Sequence, residues 1–118
     1  MTKPISTATA EQYPWGIGCM GWHLVATDAL SIIQEHMPAD RAEARHLHVW
    51  SRQFFYVLEG ELELEVDGIV HTLSPGVGME IDPGVGHQAF NRSAEPVSFL
   101  VISQPPSHGD RQVLAPPE

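Results

Sequence analysis

Glu61-Leu62-Glu63-Leu64-Glu65-Val66 alternates acidic and aliphatic residues without a break. A period of two is what a strand with one face in a core requires. Asp67-Gly68 follows and reads as a tight turn into Ile69-Val70-His71-Thr72-Leu73, so residues 61–73 predict an antiparallel hairpin. Ten glycines and ten prolines, spread along 118 residues, cut every apolar stretch before it reaches the length of an ordinary helix. Further strands are predicted at residues 23–27, 30–37, 53–58, 77–81, 87–91 and 97–103, each ended by a turn signal or a proline. Short strands at this spacing suggest an all-β sandwich or barrel. Around Thr9-Ala10-Glu11-Gln12 one helical turn is expected, with Thr9 as its cap. Pro105-Pro106 and Pro116-Pro117 predict an extended tail. The expected division is an N-terminal segment 1–20 packed on the barrel or on a partner subunit, a barrel over 21–104 and a Pro-rich tail over 105–118. The length suits one core and not two.

Fifteen acidic against six basic side chains give a formal charge of −9. Such a surface repels phosphate backbones and anionic headgroups, which argues against nucleic acid and membranes as partners. The first residues lack the apolar run of a secretory signal, and no segment has the roughly 20 apolar residues of a membrane span, so a cytoplasmic protein is expected. Cys19 is the single cysteine, which excludes an internal disulfide and a thiolate cluster and reads as packing.

His46-Leu47-His48 carries the chemistry. On a strand, residues two apart share a face, so both imidazoles are able to meet one metal ion. The pair alone is equally compatible with two hydrogen-bonded structural histidines. After four intervening residues comes Gln53, and after six more comes Gly60; further on stand Gly76, Asp82-Pro83-Gly84, His87 and Asn91. Over residues 45–91 this spacing resembles the two motifs of the cupin superfamily. There are two departures: Asp82 stands in place of a proline, and Gln53 in place of a glutamate.

The resemblance implies a cupin-like jelly-roll β-barrel with His46, His48, Gln53 and His87 as ligands of one divalent transition metal: Fe, Mn, Ni, Co or Zn. Three imidazoles and an oxygen donor suit these ions, with positions left for water or substrate. A glutamine leaves the ion's full charge in place, which predicts weaker metal binding and stronger attraction for a chelating ligand. Gln53 is alternatively a supporting residue beside a three-histidine site. Cupins with a glutamine here include proteins that open the ring of unsaturated uronates.

The implied function is metal-dependent chemistry on a small organic molecule, by isomerisation, ring opening or dioxygenation; the alternative is a non-catalytic binding module. Catalytic residues are not assigned. Phe55 shares the parity of Gln53 and is expected in the pocket wall, and His36, on the parity of Ile32 and Gln34, is a candidate to reach the cavity. Asn91 either supports the second motif's loop or meets the ligand. Glu61, Glu63 and Glu65 face solvent by alternation, and Glu35 and Glu80 have no assigned face, which leaves His36 or hydroxide on the metal as base. Arg52 and Arg92 point away from the cavity, while Arg45 lies at its rim or on the surface. A small neutral or carboxylate ligand is expected rather than a phosphorylated one. Because Phe54, Tyr56 and Leu58 make the second face of the Gln53 strand apolar as well, the sheet needs a cover, and a homodimer is expected.

Overall fold

The computed structural model describes residues 3–117 and is all β. Its strands are β1 (Glu11–Pro14), β2 (Met20–Ala26), β3 (Ser31–Met37), β4 (Arg41–Ala42), β5 (His46–His48) and β6 (Arg52–Glu59). They continue as β7 (Leu62–Val66), β8 (Ile69–Leu73), β9 (Gly78–Ile81), β10 (His87–Asn91), β11 (Val97–Gln104) and β12 (Arg111–Val113). Two antiparallel sheets face each other: β1-β2-β3-β11-β6-β9 and β12-β5-β10-β7-β8, with β4 beside β10. This is a jelly roll closed into a barrel.

The hairpin forms as its sequence dictates. Asp67 and Gly68 adopt φ of 52° and 89°, joining Val66 to its partner Ile69. Leu62, Leu64 and Leu73 then lie in the core with Val57, Val97 and Phe99. The alternation fails at Glu65, expected in solvent but buried, because Arg45 lies across it at 2.7 Å and the Gly68 amide donates to it. Arg45 is thereby committed to structure. Gly60 has φ of 79°, and a side chain there would strike the Pro96 carbonyl at 2.4 Å. Only glycine fits that turn.

Both chain ends depart from expectation. The N-terminal turn occupies residues 7–9 and is closed by Ala10 N to Ser6 O at 2.8 Å; Thr9 lies at its end, and Gln12 is already in β1, paired with Trp22. The tail is not merely extended. Arg111, Gln112 and Val113 pair with His48, Leu47 and His46, so β12 becomes the edge strand beside the motif. Met1, Thr2 and Glu118 of the two expected terminal segments lie outside the described residues. Among the described residues no helix is long and apolar enough to cross a membrane.

Strand register settles the faces. Phe55, Val57 and Gln53 point inward opposite Val101, Phe99 and Ser103. On the outer face Phe54 and Tyr56 stand beside Ile102 and Leu100, followed by Ile32 and Gln34. Phe54 and Leu58 stay exposed, because β1 extends the sheet edge instead of folding over this face.

Candidate metal centre

His46 and His48 both project inward from β5, and His87, the first residue of β10, pairs directly with His46. The turn that delivers His87 is held by Gly84 N to His48 O at 2.7 Å, with Gly84 at φ 81°. One nitrogen from each of the three rings falls within 4.8 Å of the others, and all three side chains are buried. This arrangement is able to hold a metal ion.

The hydrogen bonds point the same way. Each Nδ1 has an acceptor: Ala44 O at 2.7 Å for His46, Asp110 Oδ1 at 2.7 Å for His48 and Val85 O at 3.0 Å for His87. Protons held on Nδ1 leave the Nε2 lone pairs free to bind a metal. His87 Nε2 is buried without a partner, as is Gln53 Oε1. The amide of Gln53 is fixed by donation from Nε2 to Ser103 Oγ at 3.0 Å. Two orphaned buried acceptors beside three oriented imidazoles fit a cation, since leaving them unpaired costs about 1–3 kcal/mol each. Burial lowers the pKa of His46 to about 3, helped by nearby His87, Arg111 and His48 against the Ala44 carbonyl. Burial lowers His87 as well. These two imidazoles are neutral at neutral pH, as ligands must be.

Asp110, in the segment expected only as tail, turns His48. Burial pushes its carboxyl upward, but donation from Trp50 N, His48 and Ser51 N outweighs this and holds it below the usual range.

The centre opens into a chamber of about 200 Å³ whose wall includes Gln53, Phe55, Trp15 and Arg111. Phe55 meets His87 edge-on at 6.0 Å. Two glutamates are there too: Glu35, which alternation left without a face, and Glu43, which the sequence did not single out. Glu35 sits opposite Phe99 on the inner face of β3, and Glu43 accepts from Ala89 N at 3.0 Å. His36, one residue from Glu35, is turned to the outer face opposite Ser98 and does not line the chamber. Asn91 does not line the chamber either. Its amide donates to Met37 O and Glu95 O and accepts from Ser93, so it pins the loop after β10. The chamber's cation is Arg111, 3.5 Å from His46 Nδ1, while Arg52 pairs with Glu80 and Asp82, and Arg92 with Glu63, on the exterior.

Burial raises Glu35 to about 8, with Glu43 adding to it and Arg111 opposing. Glu43 rises to about 7 by burial, against the Ala89 amide and Arg111. An acid whose pKa is raised on folding stabilises the fold at low pH, and that stability is lost as pH rises through the folded value. His46 runs the other way, losing stability only as pH falls below its ordinary 6.5. Between that pH and about 8 the two carboxyls set the direction. The metal-free protein is therefore expected to melt at progressively lower temperature from about pH 6.5 to about pH 8, the interval ending at the raised Glu35 value. Glu35→Gln flattens the slope; calorimetry showing equal slopes would contradict the assignment.

Comparison with known proteins accords with this architecture. A family model described as "Cupin domain" matches residues 33–103. An uncharacterized protein of Methanocaldococcus jannaschii is 28% identical over 85 residues, covering 71% of this chain and 68% of its own. The structure of KdgF from a Halomonas species superposes with TM-score 0.82 at 18% identity over 92% of this chain and 97% of that one. The polyketide cyclase RemF from Streptomyces resistomycificus gives TM-score 0.84 at 18% identity, covering 100% and 89%. At such identities the structural likeness establishes the fold alone.

Proposed function

The chain belongs to the cupin domain family, and from that premise we propose that it performs metal-dependent proton-transfer chemistry, isomerisation or ring opening, on a small oxygen-bearing molecule. The observation that carries this reading is the pairing of a three-imidazole centre with an inward carboxyl, Glu35, in one chamber. His46, His48 and His87 would hold a divalent transition metal, Fe, Mn, Ni, Co or Zn, with Gln53 Oε1 as fourth donor. When bound, such an ion polarises a carbonyl or enediol oxygen as a Lewis acid.

The protein's own groups do the rest. Glu35, raised by burial into the range of a neutral-pH acid and base, holds or accepts the proton next to that oxygen. Phe55 and Trp15 line the chamber with apolar surface, and Arg111 offsets the two carboxylates. A small neutral or carboxylate ligand suits this balance of charge.

The reading is tested by incubating metal-loaded protein in deuterium oxide with a panel of small α-hydroxyketones and uronic acids. Deuterium should enter beside the carbonyl, and Glu35→Gln should abolish this at unchanged metal content. Binding without exchange would favour the non-catalytic module, and oxygen uptake in place of exchange would favour dioxygenation.

A homodimer through the outer face of the sheet that contains β6 and β11 completes the proposal. Phe54, Tyr56, Leu58, Leu100 and Ile102 form one apolar surface, with Phe54 and Tyr56 stacked at 6.2 Å. Sedimentation is expected to show a dimer that Phe54→Glu dissociates; a monomeric parent protein at working concentration would refute it.

A further inference from the structure

The metal chamber, at about 200 Å³, is smaller than the roughly 300–1,000 Å³ of ordinary small-molecule sites. It does not end there. Tyr13, Ile33 and Ser107 also line a second cavity of about 430 Å³, so the two chambers adjoin. The outer one lies between the N-terminal strands and the segment that follows Pro105.

Its chemistry differs from that of the inner chamber. Its lining includes Ala26, Ile33 and Pro106 as apolar surface, and hydroxyls and imidazoles as the polar groups. None of its lining residues is an acid, amide, lysine or arginine. A sugar ring usually needs such planar, multiply bonding groups, and a charged group needs a counter-ion. A flat apolar ring needs neither. Tyr13 and His23 form an aromatic wall, their rings 4.8 Å apart and tilted by 31°. Tyr13 is seated on Gly21, where any Cβ would come within 2.5 Å of its ring. The wall is therefore fixed by the backbone. His23 Nδ1, in turn, is buried without a partner and calls for one polar hydrogen-bonding group.

We infer that the outer chamber is a subsite for an uncharged, hydroxylated aromatic ring, carried by a ligand whose chelating end reaches the inner chamber. This rests on the proposed metal centre and names the ligand class for it. Aromatic rings favour such a slot by burying area against flat neighbours, and a hydroxyl would satisfy His23.

The test uses three chelating probes on metal-loaded protein: acetohydroxamic acid, 3-phenylpropanehydroxamic acid and its 4-hydroxyphenyl analogue. Titration calorimetry should find the phenyl compound at least about tenfold tighter than acetohydroxamic acid, and the hydroxyphenyl compound tighter again. Ala26→Trp, which fills the outer chamber, should erase both gains while leaving acetohydroxamate affinity and metal content unchanged. His23→Phe should remove only the second gain. Equal affinity for all three probes overturns the inference and leaves the metal centre standing. If metal-loaded protein binds none of them, the inner-chamber reading fails and takes the subsite with it. In metal-free protein, nuclear magnetic resonance shifts at Tyr13 and His23 on adding 4-methylphenol provide a readout independent of the ion. Their absence would equally overturn the subsite.

Discussion

Replacing His87 by alanine is expected to abolish metal retention while the metal-free fold survives. His87 Nε2 is buried and unpartnered, so the metal-free protein loses no hydrogen bond from that atom when the ring is removed. The metal-loaded protein loses one of three nitrogens. Affinity should fall by well over the ~10–100-fold that removal of a supporting hydrogen-bond partner typically costs. Asp110→Ala supplies that comparison within the same protein. It leaves all three imidazoles but frees His48 from its 2.7 Å anchor, and a loss of about 10–100-fold is expected. The graded pair is read by competition with a coloured chelator, with circular dichroism as the check on folding. Equal effects, or none from His87→Ala, would place any bound ion elsewhere.

The second large effect is a gain. Gln53→Glu exchanges a neutral donor for an anionic one at a buried position that lines the same chamber as His46 and His48. With metal present, attraction between a carboxylate and a dication at contact is strong even at a high effective dielectric, so at least about tenfold tighter binding is expected. Without metal, the same carboxylate is buried, with the Ser103 hydroxyl as its hydrogen-bond partner, and the fold should be destabilised. The thermal midpoint thus moves down in the metal-free protein and up in the loaded one. Affinity for an anionic chelating probe should drop in parallel, because the ion's charge is then partly neutralised. Unchanged metal affinity would mean that Gln53 supports the site without touching the ion.

What the sequence disclosed follows from where strand periodicity is unambiguous. Leu62 and Leu64 are each flanked by glutamates on both sides, so their inward direction and the turn at Asp67-Gly68 could be read directly. The grouping of His46, His48 and His87 was legible because its spacing is shared with a family, and the structure brings the three rings together. β3 is different. Ile32 and Ile33 give both of its faces apolar character, so alternation could not choose between Glu35 and His36; pairing with β11 made the choice, turning Glu35 in and His36 out. Asp110 and Arg111 gave no local signal at all. They follow a Pro-rich stretch that reads as tail, and only pairing across more than 60 residues brings them to His48 and His46. Glu65 was misplaced for a related reason: alternation assigns a face, whereas burial also depends on what lies across it, here Arg45.

The central claim is a metal held by His46, His48 and His87, and crystallography with anomalous scattering tests it most directly. Protein purified without a metal-affinity tag, reconstituted with Mn, Fe or Zn, is measured on both sides of the absorption edge. One peak per chain among the Nε2 atoms of the three histidines, adjacent to Gln53 Oε1, is the result this account predicts. A map with no peak there in fully reconstituted crystals, or with its peak on surface carboxylates such as Glu80 and Asp82, would contradict it.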